Sequence, residues 1–390
     1  FKNKNCPGKA KAALIVDLCG NLAILGFFKY TDFVIGSINS ITGAGLSLLH
    51  IALPIGISFF TFQLMSYVFD VYYDTAKVQR NILYVGLYVS MFPQLIAGPI
   101  VRYETVADEI ENRVENREEF ADGFGRFVVG LGKKILISNY VGKVADIAFS
   151  TEGGMSVAMA WLGAIAYTLQ IYFDFSGYSD MAIGLGRMFG FHFLENFNFP
   201  YISKSITEFW RRWHISLGAW LKEYVFYPVS LSGHFKKVNT FTKKHIKSQH
   251  IVGFITIAYT LFFVWFCNGL WHGASWLYIV YGLYYYVLMM LGKFTEPYTD
   301  KLAKKLHINK ESKGYSVFQV ARTVVIVNVG MLLFRSSTLV EFGKLFGKMF
   351  TSINFMDFCS IIKIQDGIIL AVGFVVMLLV GIIKEKGIDI

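Results

Sequence analysis

Long apolar segments recur along most of the chain and leave only short polar stretches between them. A helix needs roughly 18 apolar residues to cross a hydrocarbon core of about 30 Å. Strands of a closed barrel would instead alternate over segments of about ten residues, and these segments do not alternate. We therefore predict an all-α polytopic membrane protein with spans in residues 12–29, 47–69, 83–101, 125–149, 155–176, 251–270, 273–293, 317–335 and 367–383.

Composition and charge agree with this prediction. Of the 390 residues, 54% are hydrophobic and 16% are charged, which leaves too little polar surface for a large soluble body. The net charge is +10, and in a membrane chain lysines and arginines mark loops that stay in the cytosol beside anionic lipid. We expect membrane lipids as partners and no nucleic acid. The four cysteines lie far apart and indicate neither a disulfide framework nor a metal site.

The ends and loops of the chain suggest its organisation. Residues 1–11 are polar and begin without Met, which is typical of a cytosolic loop between spans, so we expect that N-terminal spans are missing. The acidic stretch 103–122 and the stretch 338–362 are predicted to lie on the membrane surface. No internal repeat or boundary divides the chain, so residues 1–390 are predicted to form a single membrane domain.

Two lysine-rich loops indicate the orientation. Residues 231–250 and 294–314 carry five lysines each, and such loops remain in the cytosol. The segment between them is long enough for two crossings, which places His272 away from the cytosol.

Polar side chains within residues 174–230 identify a candidate site. Such groups inside a membrane protein must face a wet cavity or one another. Pro200, Pro228 and several glycines predict short, re-entrant broken helices, which are tolerated at membrane depth where they line an aqueous chamber. The polar residues singled out in this region are Asp174, Ser176, Glu208, Arg212 and His214.

Residues 206–222 are predicted to form one helix. Trp210, Trp213, Leu217 and Trp220 are spaced by three or four and would share a face, while Glu208 and Arg212 are an i, i+4 pair. The tryptophans and Arg211 are interpreted as interfacial anchors. For His214 the pattern leaves a structural and a functional role equally open. Asp174 is interpreted as structural, although it would also suit a role in fixing a histidine tautomer.

His272 lies between two spans, in a segment that includes Asn268, Trp271 and small residues. A neutral histidine there would serve as a general base, and the alternative is a histidine hydrogen-bonded at a helix end. Motifs of other chemistries are absent from the sequence: there is no HExxH, no GxSxG and no complete phosphate-binding loop.

Five segments together resemble the membrane-bound O-acyltransferase family, in particular its bacterial alginate O-acetyltransferase-like branch. They cover about residues 50–280 in order and spacing. The segments are 53–63 (LPIGISFFTFQ), 92–102 (FPQLIAGPIVR), 172–180 (YFDFSGYSD), 208–217 (EFWRRWHISL) and 271–273 (WHG).

The resemblance implies a many-helix core around a polar tunnel and places the chain in a bacterial cell membrane. It implies that His272 is catalytic and His214 is a second active-site residue. From their positions in the sequence we further expect Asn268, Trp271, Ser176, Asp174, Glu208 and Arg212 to be supporting or tunnel residues. The donor is expected to be an acyl thioester, acetyl-CoA or an acyl carrier, with no bound cofactor and no metal. The acceptor is a hydroxyl on an extracytoplasmic polysaccharide, cell-wall polymer or relay protein, and an extracytoplasmic esterase-like partner is expected.

Two alternatives stay open. D-alanyl transfer from a carrier protein toward teichoic acid shares the fold and both histidine motifs. A non-enzymatic transporter would also explain broken helices with charges near the midplane.

Overall fold

The computed structural model describes residues 6–150, 156–351 and 363–387, and helices form most of them. One isolated antiparallel bridge pairs Phe197 with Trp213, and no longer strand occurs among the described residues. The helices are α1 (Pro7–Leu25), α2 (Thr31–Thr42), α3 (Ile57–Tyr72), α4 (Ile82–Ser90), α5 (Tyr103–Asn112), α6 (Arg117–Gly132), α7 (Asn139–Ser150), α8 (Val157–Met188), α9 (Ile206–Arg212), α10 (Ile215–Leu221), α11 (Tyr227–Leu231), α12 (Gly233–His245), α13 (Gln249–His272), α14 (Trp276–Lys305), α15 (Lys313–Arg335), α16 (Leu339–Thr351) and α17 (Ile364–Glu385).

Five helical segments in the described part of the chain are long and apolar enough to cross a membrane, which confirms the prediction of an all-helical, multi-pass membrane protein. The first is continuous, because a π-helical turn at Gly26–Tyr30 joins α1 to α2. The five segments are Gly8–Thr42, Gln249–His272, Trp276–Lys305, Lys313–Arg335 and Ile364–Glu385.

Two predicted spans are not continuous helices. Residues 47–69 are non-helical up to Gly56, and α3 supplies only 16 helical residues from Ile57. Residues 83–101 contain the nine-residue α4 and then a short 3-10 turn at Phe92–Gln94. A proline and a glycine lie where each segment is interrupted. Gly56 and Gly98 have positive φ angles of 76° and 123°, which residues with a side chain rarely adopt.

Helices form most of the described residues in the two stretches that are predicted to lie on the membrane surface, and that location stays a prediction. Residues 103–122 contain α5 and the start of α6, and α5 buries Tyr103, Val106 and Ile110. The stretch 338–362 begins with α16, while residues 352–362 lie outside the described part.

The described chain folds into two compact units. The first unit comprises the residues up to Gly130, Tyr178–Glu195 and Trp271–Ser275, and the second comprises Leu131–Gly177, Asn196–Leu270 and the residues from Trp276. The first has a core around Tyr88, Tyr103 and Phe191. The second has an aromatic core around Phe209, Trp213, Trp265, Tyr281 and Tyr285. The prediction of a single domain over residues 1–390 stays a prediction.

Within the second unit, α13 and α14 pack closely because two glycines face the neighbouring backbone. A Cβ atom at Gly269 would lie 2.4 Å from the carbonyl oxygen of Tyr278, and one at Gly282 would lie 2.3 Å from that of Trp265. The pairing of residue 269 with 278 and of 265 with 282 shows that the two helices run antiparallel.

Candidate active site

His214 lies at a break between two short helices and not within one helix, which corrects the prediction for residues 206–222. Helix α9 ends at Arg212 and α10 begins at Ile215. Trp213 is extended and bridges Phe197, while His214 has a left-handed φ of 47°. The tryptophans therefore do not share one helical face.

The imidazole of His214 is enclosed by the second unit. The residue is 2% exposed, and the ring of Phe175 packs edge-on against it at a centroid distance of 4.7 Å. His214 Nδ1 lies 3.0 Å from Asn196 Oδ1. The aromatic contact and the burial show that bulky rings limit the access of water to this histidine.

Asn196 determines which ring nitrogen of His214 carries the proton. Its side-chain oxygen accepts the backbone N–H of Ser216 at 3.3 Å and the Ser216 hydroxyl at 2.9 Å. A backbone N–H can only donate, so the atom that it meets must be the oxygen of the Asn196 amide. His214 Nδ1 is then the donor to that oxygen, and a neutral imidazole has its lone pair at Nε2.

A cavity of about 540 Å³ lies beside His214 in the second unit. Its walls are mostly apolar and include Leu217, Val264 and Trp265, with Arg211 and Lys222 as cations. Asn268 also lines the cavity, is 4% exposed, and its Oδ1 has no hydrogen-bond partner among the described residues. The structure therefore brings the predicted residues His214 and Asn268 to one cavity that offers hydrogen-bond acceptors in an apolar setting.

The predicted supporting residues Ser176 and Asp174 lie on α8. Ser176 is 3% exposed, follows the Phe175 that contacts His214, and its hydroxyl has no partner within the described chain. The Asp174 carboxylate accepts a hydrogen bond from Lys134 Nζ, and both side chains are close to half-exposed. This ion pair favours the structural role for Asp174.

Glu208 and Arg212 form the predicted ion pair, at 2.9 Å, and Arg212 has a second carboxylate partner. Arg212 also binds Glu385 of α17 at 3.0 Å, and Glu385 is more than half exposed. The hydrogen bond to Glu385, and then the two nearby carboxylates, raise the pKa of the Arg212 guanidinium above its usual value. The predicted pair is therefore part of a three-residue cluster, in which Arg212 is shared between Glu208 and the more exposed Glu385.

His272 and Trp271 lie in the first unit, at the end of α13. His272 is half-buried and lines a cavity of about 350 Å³ with Lys29, Thr31, Gly273 and Ala274. The Trp271 ring packs against Phe59 and Phe62 at centroid distances of 5.6 and 6.0 Å. The last turn of α13 is thus held by aromatic packing on one side and opens onto a cavity on the other.

Three residues of these sites are not singled out by the sequence pattern. Asn196 and Phe175 reach His214 only through tertiary packing. Phe175 lies in the segment 172–180 that contributes to the family resemblance, whereas no local signal marks Asn196. Lys29 does carry a signal, because it is an ionisable group at the edge of a predicted span.

The family match agrees with this architecture. Residues 73–243 match the model of the membrane-bound O-acyltransferase family. The family predicted from the motifs is therefore confirmed: the chain is a multi-pass membrane protein of the membrane-bound O-acyltransferase family.

Three relatives define the chain's similarities more closely. A Pseudomonas syringae pv. tomato protein named "Probable alginate O-acetylase AlgI" is 42% identical over 343 residues, which cover 87% of this chain and 60% of that protein. The peptidoglycan O-acetyltransferase of Helicobacter pylori is 32% identical, over 90% of this chain and 66% of that protein. The teichoic acid D-alanyltransferase of Bacillus subtilis is 32% identical, over 63% of this chain and 60% of that protein.

The chain spans about three fifths of the length of the alginate O-acetylase relative. The alignments with the alginate O-acetylase and the peptidoglycan O-acetyltransferase cover 87% and 90% of this chain, whereas the alignment with the D-alanyltransferase covers 63%. Similarity to the acetylating branch is therefore the more extensive of the two.

Proposed function

We propose that this protein transfers an acetyl group from a cytosolic thioester to a hydroxyl of an extracytoplasmic polysaccharide, cell-wall polymer or relay protein in a bacterial cell membrane. The observation that carries the proposal is the 42% identity over 343 residues to the protein named as an alginate O-acetylase. The buried His214 and the half-buried His272 support it, because acyl transfer to a hydroxyl needs a base and a site that limits water.

His272 is the general base in this proposal. It removes the proton of the acceptor hydroxyl as the oxygen attacks the thioester carbonyl, so that a C–O bond forms and the C–S bond breaks. The proton passes from the imidazolium to the thiolate that leaves, and the products are an oxygen ester and a free thiol. General-base assistance is worth about 10²–10⁴-fold in rate.

The cavity beside His214 suits the donor. Acetyl-CoA and acyl carriers present their thioester on the same phosphopantetheine arm, which has amide N–H groups between apolar segments and ends in phosphate. The apolar walls match the arm, Asn268 Oδ1 and His214 Nε2 are acceptors for its N–H groups, and Arg211 and Lys222 offer positive charge to phosphate. An extracytoplasmic esterase-like protein is the proposed partner for transfer to polymer.

The test uses membranes that contain the full-length protein, an acetyl-CoA donor labelled in its acetyl group and a hydroxylated polymer as acceptor. We expect wild-type membranes to label the polymer and His272→Ala to fall below about a tenth of the wild-type rate. His245→Ala is the matched control, because His245 is exposed on α12 and bonds only its own helix. A His272→Ala rate above about a tenth of wild type would exclude the base role.

D-alanyl transfer is the second candidate, because the Bacillus subtilis relative is 32% identical. The same membranes, supplied with a D-alanyl carrier protein, decide between the two reactions. Labelling from the carrier and none from acetyl-CoA would favour D-alanylation. A transporter would instead take up acetyl-CoA or polymer and form no ester, even as the wild-type protein. Its uptake would survive in the His272→Ala variant.

A further inference from the structure

Lys29 is a charged residue inside a long apolar helix. It is the one charged side chain between Asp17 and Asp32, and it belongs to the candidate span Gly8–Thr42. The helix widens into a π turn at Gly26–Tyr30, which includes Lys29. Single π turns inside α-helices occur frequently at functional sites, and ionisable groups within spans mark functional positions by default.

The Lys29 ammonium binds the end of α13. It donates one hydrogen bond to the backbone carbonyl oxygen of Trp271 and another to Ser58 Oγ at 3.0 Å. The last four carbonyls of a helix have no donor within that helix, and a cation at this end is stabilised by the helix dipole. Lys29 therefore acts as a capping cation for the turn that carries His272.

Lys29 and His272 also line the same cavity of about 350 Å³ in the first unit. The nearby acid Asp32 is engaged elsewhere, because its Oδ1 accepts the backbone N–H of Leu49 at 2.8 Å. The hydrogen bonds of Lys29 thus run to Ser58 and to the backbone carbonyl just before His272, at the cavity that His272 also lines.

We propose that Lys29 is a positioning residue for His272. By binding the Trp271 carbonyl, its ammonium fixes the last turn of α13 and with it the imidazole that abstracts the proton. This inference rests on the proposed function of His272 as the base. A base displaced by about 1 Å loses much of its effect, since orientation supplies a large share of the catalytic rate.

The kinetic test compares variants in the acetyl-transfer assay. We expect Lys29→Met to lower kcat by at least about tenfold and to change KM for thioester and acceptor by less than about threefold. Lys29→Arg keeps a cationic donor and should recover part of kcat. Ser58→Ala leaves the bond to Trp271 in place and should keep most of kcat. Lys11→Met, at an exposed position of α1, is the matched control.

An unchanged kcat in Lys29→Met would overturn the inference. So would a rise in KM at constant kcat, which would make Lys29 a substrate-binding residue. A loss of activity that simply follows a loss of folded protein, judged from the thermal midpoint in detergent, would reduce Lys29 to a stabilising role and overturn the inference as well.

A second measurement needs no turnover. Diethyl pyrocarbonate modifies accessible neutral histidines, and mass spectrometry follows the modification of His272. We expect Lys29→Met to change the rate of His272 modification by at least about threefold, because a released helix end alters the access of the reagent to the imidazole. Lys11→Met should leave the rate unchanged. Equal rates of His272 modification in Lys29→Met and in the wild type would overturn the inference. If the wild type is inactive in acetyl transfer but Lys29→Met still changes the modification rate, the result counts against the proposed function alone.

Discussion

Asn196 holds His214 through a hydrogen bond of 3.0 Å between Asn196 Oδ1 and His214 Nδ1. The same oxygen accepts two further hydrogen bonds, both from Ser216. These bonds join the first turn of α10 to the segment before α9, at the point where His214 has the strained φ of 47°. A left-handed conformation of a non-glycine residue costs of order 1–3 kcal/mol and persists only where surrounding contacts fix it.

Removal of this oxygen should therefore weaken both the fold and the site. We expect Asn196→Ala to lower the free energy of unfolding by about 1–3 kcal/mol, because buried donors of His214 and Ser216 lose their acceptor. Turnover should fall by about tenfold as the imidazole loses its orientation. The thermal midpoint in detergent and the acetyl-transfer rate measure the two effects. Asn198→Ala is the control, since Asn198 is exposed, and wild-type behaviour of Asn196→Ala would contradict the role.

The sequence predicts the two histidines but not what surrounds them. Both lie in recognisable motifs, whereas the Asn196 bonds depend on a tertiary contact between residues 18 and 20 positions apart. The break at Trp213 escapes prediction for the same reason. The apolar spacing over residues 206–222 fits a helix, but the bridge from Trp213 to Phe197 and the bonds to Asn196 override this local preference.

Close packing of α13 on α14 depends on Gly282. A methyl group there would lie 2.3 Å from the carbonyl oxygen of Trp265, so one helix must move. We expect Gly282→Ala to lower the free energy of unfolding by about 1–3 kcal/mol, the usual effect of overpacking.

Gly292 on the same helix provides the control for this change. No atom lies within 4 Å of a Cβ atom built there, and alanine is the better helix former by about 0.5–1 kcal/mol. Gly292→Ala should thus leave the thermal midpoint unchanged or raise it. Equal midpoints for Gly282→Ala and Gly292→Ala would show that the two helices are not in close contact.

Arg212 is expected to matter more for stability than Glu208. Glu208→Gln leaves Arg212 bound to Glu385, so the free energy of unfolding should change by less than about 1 kcal/mol, as for other partly exposed ion pairs. Arg212→Leu leaves two carboxylates side by side and should cost about 1–2 kcal/mol, after allowance for their exposure to solvent. Thermal midpoints of both variants and of Arg211→Leu, an exposed neighbour, test this order. A larger loss for Glu208→Gln than for Arg212→Leu would show that Glu385 does not share the guanidinium.

The interruptions before α3 and after α4 show where a prediction from apolar runs fails. Residues 47–69 and 83–101 are apolar enough for spans, but composition alone does not show that the backbone stays helical. Pro54 and Gly56, and likewise Pro93 and Gly98, stand where these helices are interrupted. A proline removes a backbone donor, and a glycine with positive φ departs from right-handed helical geometry, so both interruptions follow from residues to which a hydropathy pattern gives little weight.

The orientation of α13 gives the last prediction. Its 24 residues extend about 36 Å at 1.5 Å per residue, enough to cross a hydrocarbon core of about 30 Å. Helix α12, just before it, has exposed lysines at positions 236, 237, 243 and 244, which should keep that end in the cytosol. The turn at residues 273–275, which follows His272, should then lie toward the outside.

Cysteine labelling tests this orientation in a background whose own cysteines have been replaced. Thr240→Cys, at an exposed position of α12, should resist an impermeant maleimide in intact cells and react once the membrane is permeabilised. Ser275→Cys, in the turn after His272, should react in intact cells. Strong labelling of position 240 in intact cells would reverse the orientation. It would place His272 toward the cytosolic side and so contradict the proposal that this histidine meets an acceptor from outside.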